Sequence, residues 1–252
     1  MADNSVNQSV ERACYILDLF TLSKRELSLA EIAKECSLAV TTVMPLLKSL
    51  ENAGLLERNT NNKKYRLGMK FVEKGQTVLS GIDLRDLASQ PLRELAIKLE
   101  ATTHLGLLDG DEVVIIDRYD RKQEWIDTIY PAFIGKRLLL HSTALGLVLS
   151  AYNKQVLKQP LEKLTPYTVT DEVQLAELQQ EVIKKGYAID DEMNQINGLC
   201  VAAPVFSYSG KVCAAISVSM IKTEERIVAL PEIIEAVKNT AQQISNKMGY
   251  RK

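Results

Sequence analysis

At Gly54 the chain changes period, and that change limits what its N-terminal part can fold into. Before Gly54, three stretches repeat apolar residues at helical spacing. Between Val6 and Phe20 they are Val10, Ala13, Cys14, Ile16, Leu17 and Phe20. In "LSLAEIAKECSL" they are Leu29, Ile32 and Ala33, and in "LAVTTVMPLLKSLENAGLL" they are Val43, Leu46, Leu47 and Leu50. Ser28 followed three residues on by Glu31 is a capping-box pair, and Gly54 suits the end of the third helix. After Gly54, two short extended runs, Leu55 to Arg58 and Lys64 to Leu67, flank "NTNN" and read as a β-hairpin. Three helices followed by a hairpin is the order of a winged helix-turn-helix. Its third helix enters the major groove, and its wing lies against the backbone or the minor groove.

Pro45 stands inside that third stretch. Within a helix a proline removes one i to i−4 hydrogen bond and costs about 3 kcal/mol. In the first turn the N–H is unpaired in any case. The pattern therefore predicts a helix that begins late, with Thr41 or Thr42 as N-cap and Pro45 in the first turn. Base reading then falls to Thr41, Thr42 and Met44, with Lys48 placed for a phosphate. The formal net charge of −1 makes no global case for nucleic acid, but "RNTNNKKYRLGMKFVEK" holds six basic residues beside one acid, Glu73. A local patch of this kind binds phosphates. Arg58, Lys63, Lys64 and Arg66 on the wing are its candidates for phosphate or minor-groove contacts.

Met69 to Leu99 is helical again, with a break near Gly81 and a restart around Pro91. Beyond Ala101 strands and helices intersperse. "THLGLLDGDEVVIIDRYD" is two strands about an acidic turn, and "EWIDTIYP" is a third. "STALGLVLSAY" and "DEVQLAELQQEVIKKGY" are helices, the second opening on Asp171 and closing at Gly186. "LCVAAPVFSYSGKVCAAISVSM" is a hairpin, and "ALPEIIEAVKNTAQQISNKMG" is a terminal amphipathic helix. This order implies an α+β domain with a mostly antiparallel sheet. The expected organisation is 1–68 for the winged domain, 69–82 for a linker helix and 83–252 for the second domain.

At 46% hydrophobic and 25% charged residues, the 252-residue chain has the composition of a soluble globular protein. It has no run of 18 apolar residues and no basic, then apolar, leader at its start, so a cytoplasmic place without membrane contact is expected. Cys14, Cys36, Cys200 and Cys213 form no C-x-x-C pair and are expected to be reduced core residues. Ser217 and Ser219 lie two apart in a strand and so share a face, either a solvent row or a pocket wall. His141, Cys200 and Asp190 are acceptable zinc ligands, but their spacing carries no metal signature. The same residues could serve a Cys–His hydrolase, for which no local nucleophile motif exists.

Four segments carry a resemblance to a known family. They are "SLAEIAKECSLAVTTVMPLLKSLENAGLLERNTNNKKYRLG", "GKRLLLHSTALG", "GYAIDDEMNQINGLCVAAPVF" and "GKVCAAISVS". In this order they resemble the IclR family of bacterial transcriptional regulators, and the likeness covers nearly the whole chain. It implies a GAF-like second domain that binds a small anionic metabolite of the 2-oxo acid or sugar-acid type. The carboxylate is expected at the backbone N–H groups of Ala144 and Leu145, where a helix start attracts anions. The remaining polar contacts map onto Asp190, Cys200, Ser217 and Ser219. The resemblance further implies a double-stranded DNA operator and a homodimer with a homotetramer as the alternative; repression relieved by the effector is the default expectation, in a family that contains activators too. It implies no catalytic residue, cofactor or metal. A small-molecule sensor or hydrolase that does not act on DNA is the competing class. The family usually has an arginine at the place of Pro45 and a lysine or another polar residue at the place of Val40.

Overall fold

The structure is a computed structural model that describes residues 7–80, 83–120, 132–155, 157 and 160–251. The chain divides into two compact units, 1–81 and 82–252.

The first unit runs α1 (Gln8–Asp18), α2 (Leu29–Glu35), α3 (Val40–Asn52), β1 (Leu56–Arg58), β2 (Tyr65–Leu67) and α4 (Lys70–Ser80). Each boundary has a local cause. The Asn7 side chain caps α1, and at α2 the Ser28–Glu31 box closes in both directions. At the end of α3, Gly54 takes φ 72°. The Leu55 N–H then reaches the Leu50 carbonyl and the Gly54 N–H that of Glu51, each at 2.9 Å, which is a Schellman closure. Ile16, Phe20, Leu27, Ile32, Val43, Leu47, Leu50, Leu56 and Tyr65 pack into one core. A bridge between Leu27 and Tyr65 adds the chain before α2 to the hairpin edge. A Cβ at Gly68 would lie 2.2 Å from the Gly54 carbonyl oxygen, so the hairpin can return this closely only on a glycine.

Two expectations for this unit are corrected. First, α3 does not start late. Ala39 is its N-cap, regular helix runs from Val40 straight through Pro45, and Pro45 sits in the second turn. Burial of Val43, Leu47 and Leu50 holds the early turn in register. The Ala39 carbonyl accepts from the Thr42 and Val43 N–H groups at 2.9 and 3.1 Å. Pro45 and Thr41 are both exposed, so water reaches the Thr41 carbonyl that lacks its partner, and the proline costs less than it would in a buried helix. Second, Val10 and Cys14 of α1 are exposed, while Ile16 and Phe20 carry the burial.

The second unit contains α5 (Asp83–Leu99), β3 (Thr102–Asp109), β4 (Glu112–Tyr119), β5 (Arg137–Leu139), α6 (Ala144–Tyr152), α7 (Glu172–Lys185), β6 (Ala188–Asp191), β7 (Gly198–Phe206), β8 (Val212–Ile221), α8 (Glu224–Val228) and α9 (Leu230–Lys247). The sheet order is β5-β4-β3-β8-β7-β6, with every neighbouring pair antiparallel. Helices α5 and α9 pack against one face of the sheet. On the other face α6 lies against the strands and α7 lies on α6. Asp171 caps α7, and Gly186 ends it at φ 76°. Contrary to expectation, α5 passes through Pro91 without restarting. The strand expected in "EWIDTIYP" lies outside the described residues. None of the four cysteines is in a disulfide, and only Cys200 is buried; Cys36 and Cys213 are half-buried and Cys14 is exposed, which corrects the core reading for those three.

Candidate functional site

The exposed side of α3 carries Thr41, Met44, Pro45 and Lys48, with Val40 at its start and Thr42 half-buried beside it. The helix N-terminus has no side-chain cap, unlike those of α1, α2, α6, α7 and α8. Its first N–H groups are therefore open to an external acceptor.

On the wing, the register puts Glu57 opposite Arg66 and Arg58 opposite Tyr65. Arg66 is held by Glu57 at 3.0 Å, and the same carboxylate accepts from the Met69 N–H at 3.4 Å. Arg58 lies over the Tyr65 ring at 5.5 Å and donates to the Lys63 carbonyl. Lys64 is 3.9 Å from Glu31. Lys63, at φ 60° on the tip, and Lys48 have no side-chain partner among the described residues. The turn is stapled by its own asparagines, and Asn59 and Asn62 also hold the Glu26 carboxylate. Hydrogen bonds from Asn62 and then Asn59 keep that carboxyl below its ordinary pKa.

The second place is buried. Antiparallel pairing sets Cys200 opposite Ser219 and Asp190 opposite Cys200 in one row, and His104 opposite Ser217 in the next. Their side chains therefore share the face on which α6 packs. Here lies a small cavity of about 10 Å³, room for roughly one water. Ala144, Leu145, Cys200, Ser217 and Ser219, all expected at the site, line it together. Asp190 is not among the lining residues. Its Oδ1 accepts from the Met193 and Asn194 N–H groups at 2.8 and 3.2 Å and shapes the loop after β6.

Helix α6 is buried along nearly its whole length. At its start the Thr143 hydroxyl accepts from the Gly146 N–H at 3.0 Å, and the Thr143 carbonyl accepts from Leu147 at 2.9 Å. That leaves the Ala144 and Leu145 N–H groups, the first two of the helix, without an intrahelical acceptor. A Cβ at Gly146 would lie 2.5 Å from the Leu139 carbonyl oxygen, so the close seating of α6 depends on this glycine.

Sequence reasoning missed five lining residues, His104, Ile115, Ala132, Leu138 and Thr143. A register shift between Leu105 and Gly106 brings Ile115, rather than Ile116, opposite Gly106 and onto the cavity face. His104 is fully buried, with Nδ1 3.5 Å from Ser217 Oγ and Nε2 without a partner among the described residues. Burial, with the charge of Arg118 adding to it, pushes the imidazole from 6.5 down to about 3, so it is neutral. The sequence signal was a polar residue on the same strand face as two others, visible only once β3 is known to pair with β8. His141 lies elsewhere, with Nε2 at 2.8 Å from the Glu162 carbonyl. Among the described residues no three His, Cys, Asp or Glu side chains come together as a metal site.

A winged helix-turn-helix followed by an α+β domain with its own small buried cavity is the layout of a DNA-binding transcription regulator with a separate sensory domain. The chain belongs to the IclR family: its residues 9–60 match the IclR helix-turn-helix domain, and residues 76–246 match the bacterial transcriptional regulator IclR C-terminal domain. It is 38% identical to the HTH-type transcriptional regulator XynR of Escherichia coli over 96% of this chain and 98% of that one. The crystal structure of Thermotoga maritima IclR superposes with a TM-score of 0.75 at 32% identity, covering 96% of this chain and 99% of that one. An IclR homologue from Microbacterium hydrocarbonoxydans, crystallised with 4-hydroxybenzoate, shares the fold at a TM-score of 0.81 and 24% identity over 96% and 99% of the two chains. The family's members are transcriptional regulators and not enzymes. Among the described residues no helix is long and apolar enough to cross a membrane.

Proposed function

We propose that this protein is a repressor that holds a roughly palindromic operator as a homodimer and lets go when a small carboxylate, of the 2-oxo acid or sugar-acid type, occupies the second domain. The observation that carries the effector half is the buried start of α6. Two buried N–H donors, two serines and an imidazole nitrogen with no partner among the described residues surround one cavity, which at about 10 Å³ has to widen as the carboxylate enters. Buried donors without acceptors cost about 1–3 kcal/mol each, which an anion at that helix end would offset.

Residues 1–68 bind DNA, 69–82 connect and 83–252 sense the effector, in the cytoplasm where the operator is. Val10 and Tyr15 on α1, Met69 just before α4, and Val72 and Val78 on α4 are exposed apolar residues, and they supply the dimer contact. A tetramer would pair two such dimers. Effector binding favours one arrangement of the DNA-binding heads only by its differential affinity for the two states. On α3, Val40, Met44 and Pro45 present an apolar stripe with Thr41 beside it, which suits thymine methyl groups better than guanine edges. Thr42 supports that contact. Lys48, Arg58, Lys63, Lys64 and Arg66 bear on phosphates, with Lys63 the least committed to partners within the protein.

Mobility-shift binding to the protein's own upstream region tests this reading. Affinity should fall steeply with salt, and Lys63→Ala should lower that slope by about one ion. Replacing half-site thymines by uracil, which lacks the methyl group, should weaken binding several-fold. Equal affinity for random DNA would overturn the regulator reading. In the same assay, Ser217→Ala/Ser219→Ala should keep DNA binding and lose the response to the effector.

A further inference from the structure

Within the effector pocket proposed above, His104 has no structural task that its surroundings complete. It is fully buried on β3, and among the described residues its Nε2 lacks any partner and its Nδ1 reaches only Ser217 Oγ, at 3.5 Å. Arg118, directly across the ladder, is turned to the Asp120 carboxylate and the Ala132 carbonyl. A buried ring nitrogen left without a partner is a standing cost, and such atoms are rare in folded proteins.

None of the residues described as lining the cavity carries a charged side chain. What stabilises an anion there is the start of α6, equivalent to roughly half a positive charge plus two N–H donors. That suffices for one carboxylate. It does not suffice for a phosphate dianion or a dicarboxylate, whose second charge would be buried without a counter-charge. The remaining polar atoms, on His104, Ser217 and Ser219, are neutral and stand on the opposite wall, on the sheet.

We propose that His104 is the specificity-determining residue of the pocket: with the ligand's single carboxylate on the Ala144 and Leu145 N–H groups, His104 Nε2 pairs with an uncharged hydroxy or oxo oxygen of the same molecule. The Ser217 hydroxyl can rotate to suit either tautomer. When it donates to Nδ1, Nε2 carries the proton and donates to an oxo or hydroxyl oxygen. When it accepts from Nδ1, Nε2 accepts from a ligand hydroxyl. A plain alkanoate of the same length strands Nε2, and a site built to pair an oxygen rejects the analogue that lacks it.

The test is calorimetric titration of the full chain with two matched sets, propionate with lactate and pyruvate, and hexanoate with gluconate. In at least one set the wild type should favour the oxygenated member by about tenfold or more. His104→Phe should reduce that preference to within about twofold while leaving the alkanoate's affinity in place. His104→Gln, whose amide can reach the position of Nε2, should restore most of it. Equal binding of alkanoate and oxygenated acid by the wild type overturns the proposal whether or not the variants fold. A preference that survives His104→Phe overturns it while leaving the pocket reading intact. Failure of every acid to bind the wild type removes the pocket reading and this inference together.

Discussion

Two helix starts in this molecule present the same chemical groups in opposite settings. At α3, Ala39 offers no side-chain cap, and the open N–H groups face solvent beside an exposed stripe. At α6, Thr143 caps Gly146, and the remaining donors are sealed against the sheet. Exposed donors are already hydrated, so an anion there gains little and salt screens the gain. Buried donors have given up water, so an anion there gains more and salt matters less. On the proposed function, the start of α3 is a weak, salt-sensitive anion end suited to a polymer with many phosphates, and the start of α6 a strong one suited to a single small molecule.

The largest expected effect breaks this symmetry by pH. His104 is driven down to about 3 by burial first and by Arg118 second. It binds a proton in the unfolded chain below 6.5 but not in the folded one. Stability of the second unit is therefore fully present above pH 6.5 and is lost as pH falls toward 3. The slope approaches about 1.4 kcal/mol per pH unit, and because the unfolded imidazole is only half protonated at 6.5, the loss between pH 6.5 and 4.5 is about 2 kcal/mol. Urea unfolding of wild type and His104→Gln over that range should show the difference shrinking in the variant's favour by about this amount. Parallel curves would mean that the imidazole is hydrated or paired, and the buried setting would no longer distinguish α6 from α3.

Pro45→Ala sharpens the other side. The new N–H would complete the bond to the Thr41 carbonyl and raise helix propensity. The mid-helix cost of about 3 kcal/mol is an upper bound at an exposed site, and proline also restrains the unfolded chain, so a gain of about 2 kcal/mol is expected. Thermal melting of the first unit should rise while operator affinity falls, because the stripe loses its ring. A gain in both would show that Pro45 takes no part in binding DNA.

Pro45 also shows where sequence reading stopped. Local signals carried what local chemistry decides: the Ser28–Glu31 box, the Gly54 closure, Asp171 and Gly186 at the ends of α7, and the shared face of Ser217 and Ser219. The late start of α3 failed because burial of Val43, Leu47 and Leu50 outweighed the preference of one exposed residue. His104 stayed hidden in "THLGLL" because a lone histidine in an apolar strand reads as core until the β3–β8 register and its unpaired nitrogen are known. The Glu57–Arg66 pair needed the wing register in the same way. Strands as short as β5 and β6 carry too few residues to display a period.

The smallest expected effects come from exchanging the two caps. Ala39→Ser would give α3 the acceptor it lacks, and Thr143→Ala would remove the one α6 has. Caps of this kind contribute about 1 kcal/mol, so the first should stabilise its unit and the second destabilise its own by similar amounts. Their consequences for binding should differ. A serine at 39 reaches the N–H of Thr42 and leaves Val40 and Thr41 open, so operator affinity should change less than twofold. Without the Thr143 hydroxyl, the Gly146 N–H joins those of Ala144 and Leu145 as a third buried donor. A carboxylate should then bind Thr143→Ala at least as tightly as the wild type, although the protein melts earlier. Weaker binding would mean that Thr143 itself touches the ligand, and the donor set at the start of α6 would have to be extended to its hydroxyl.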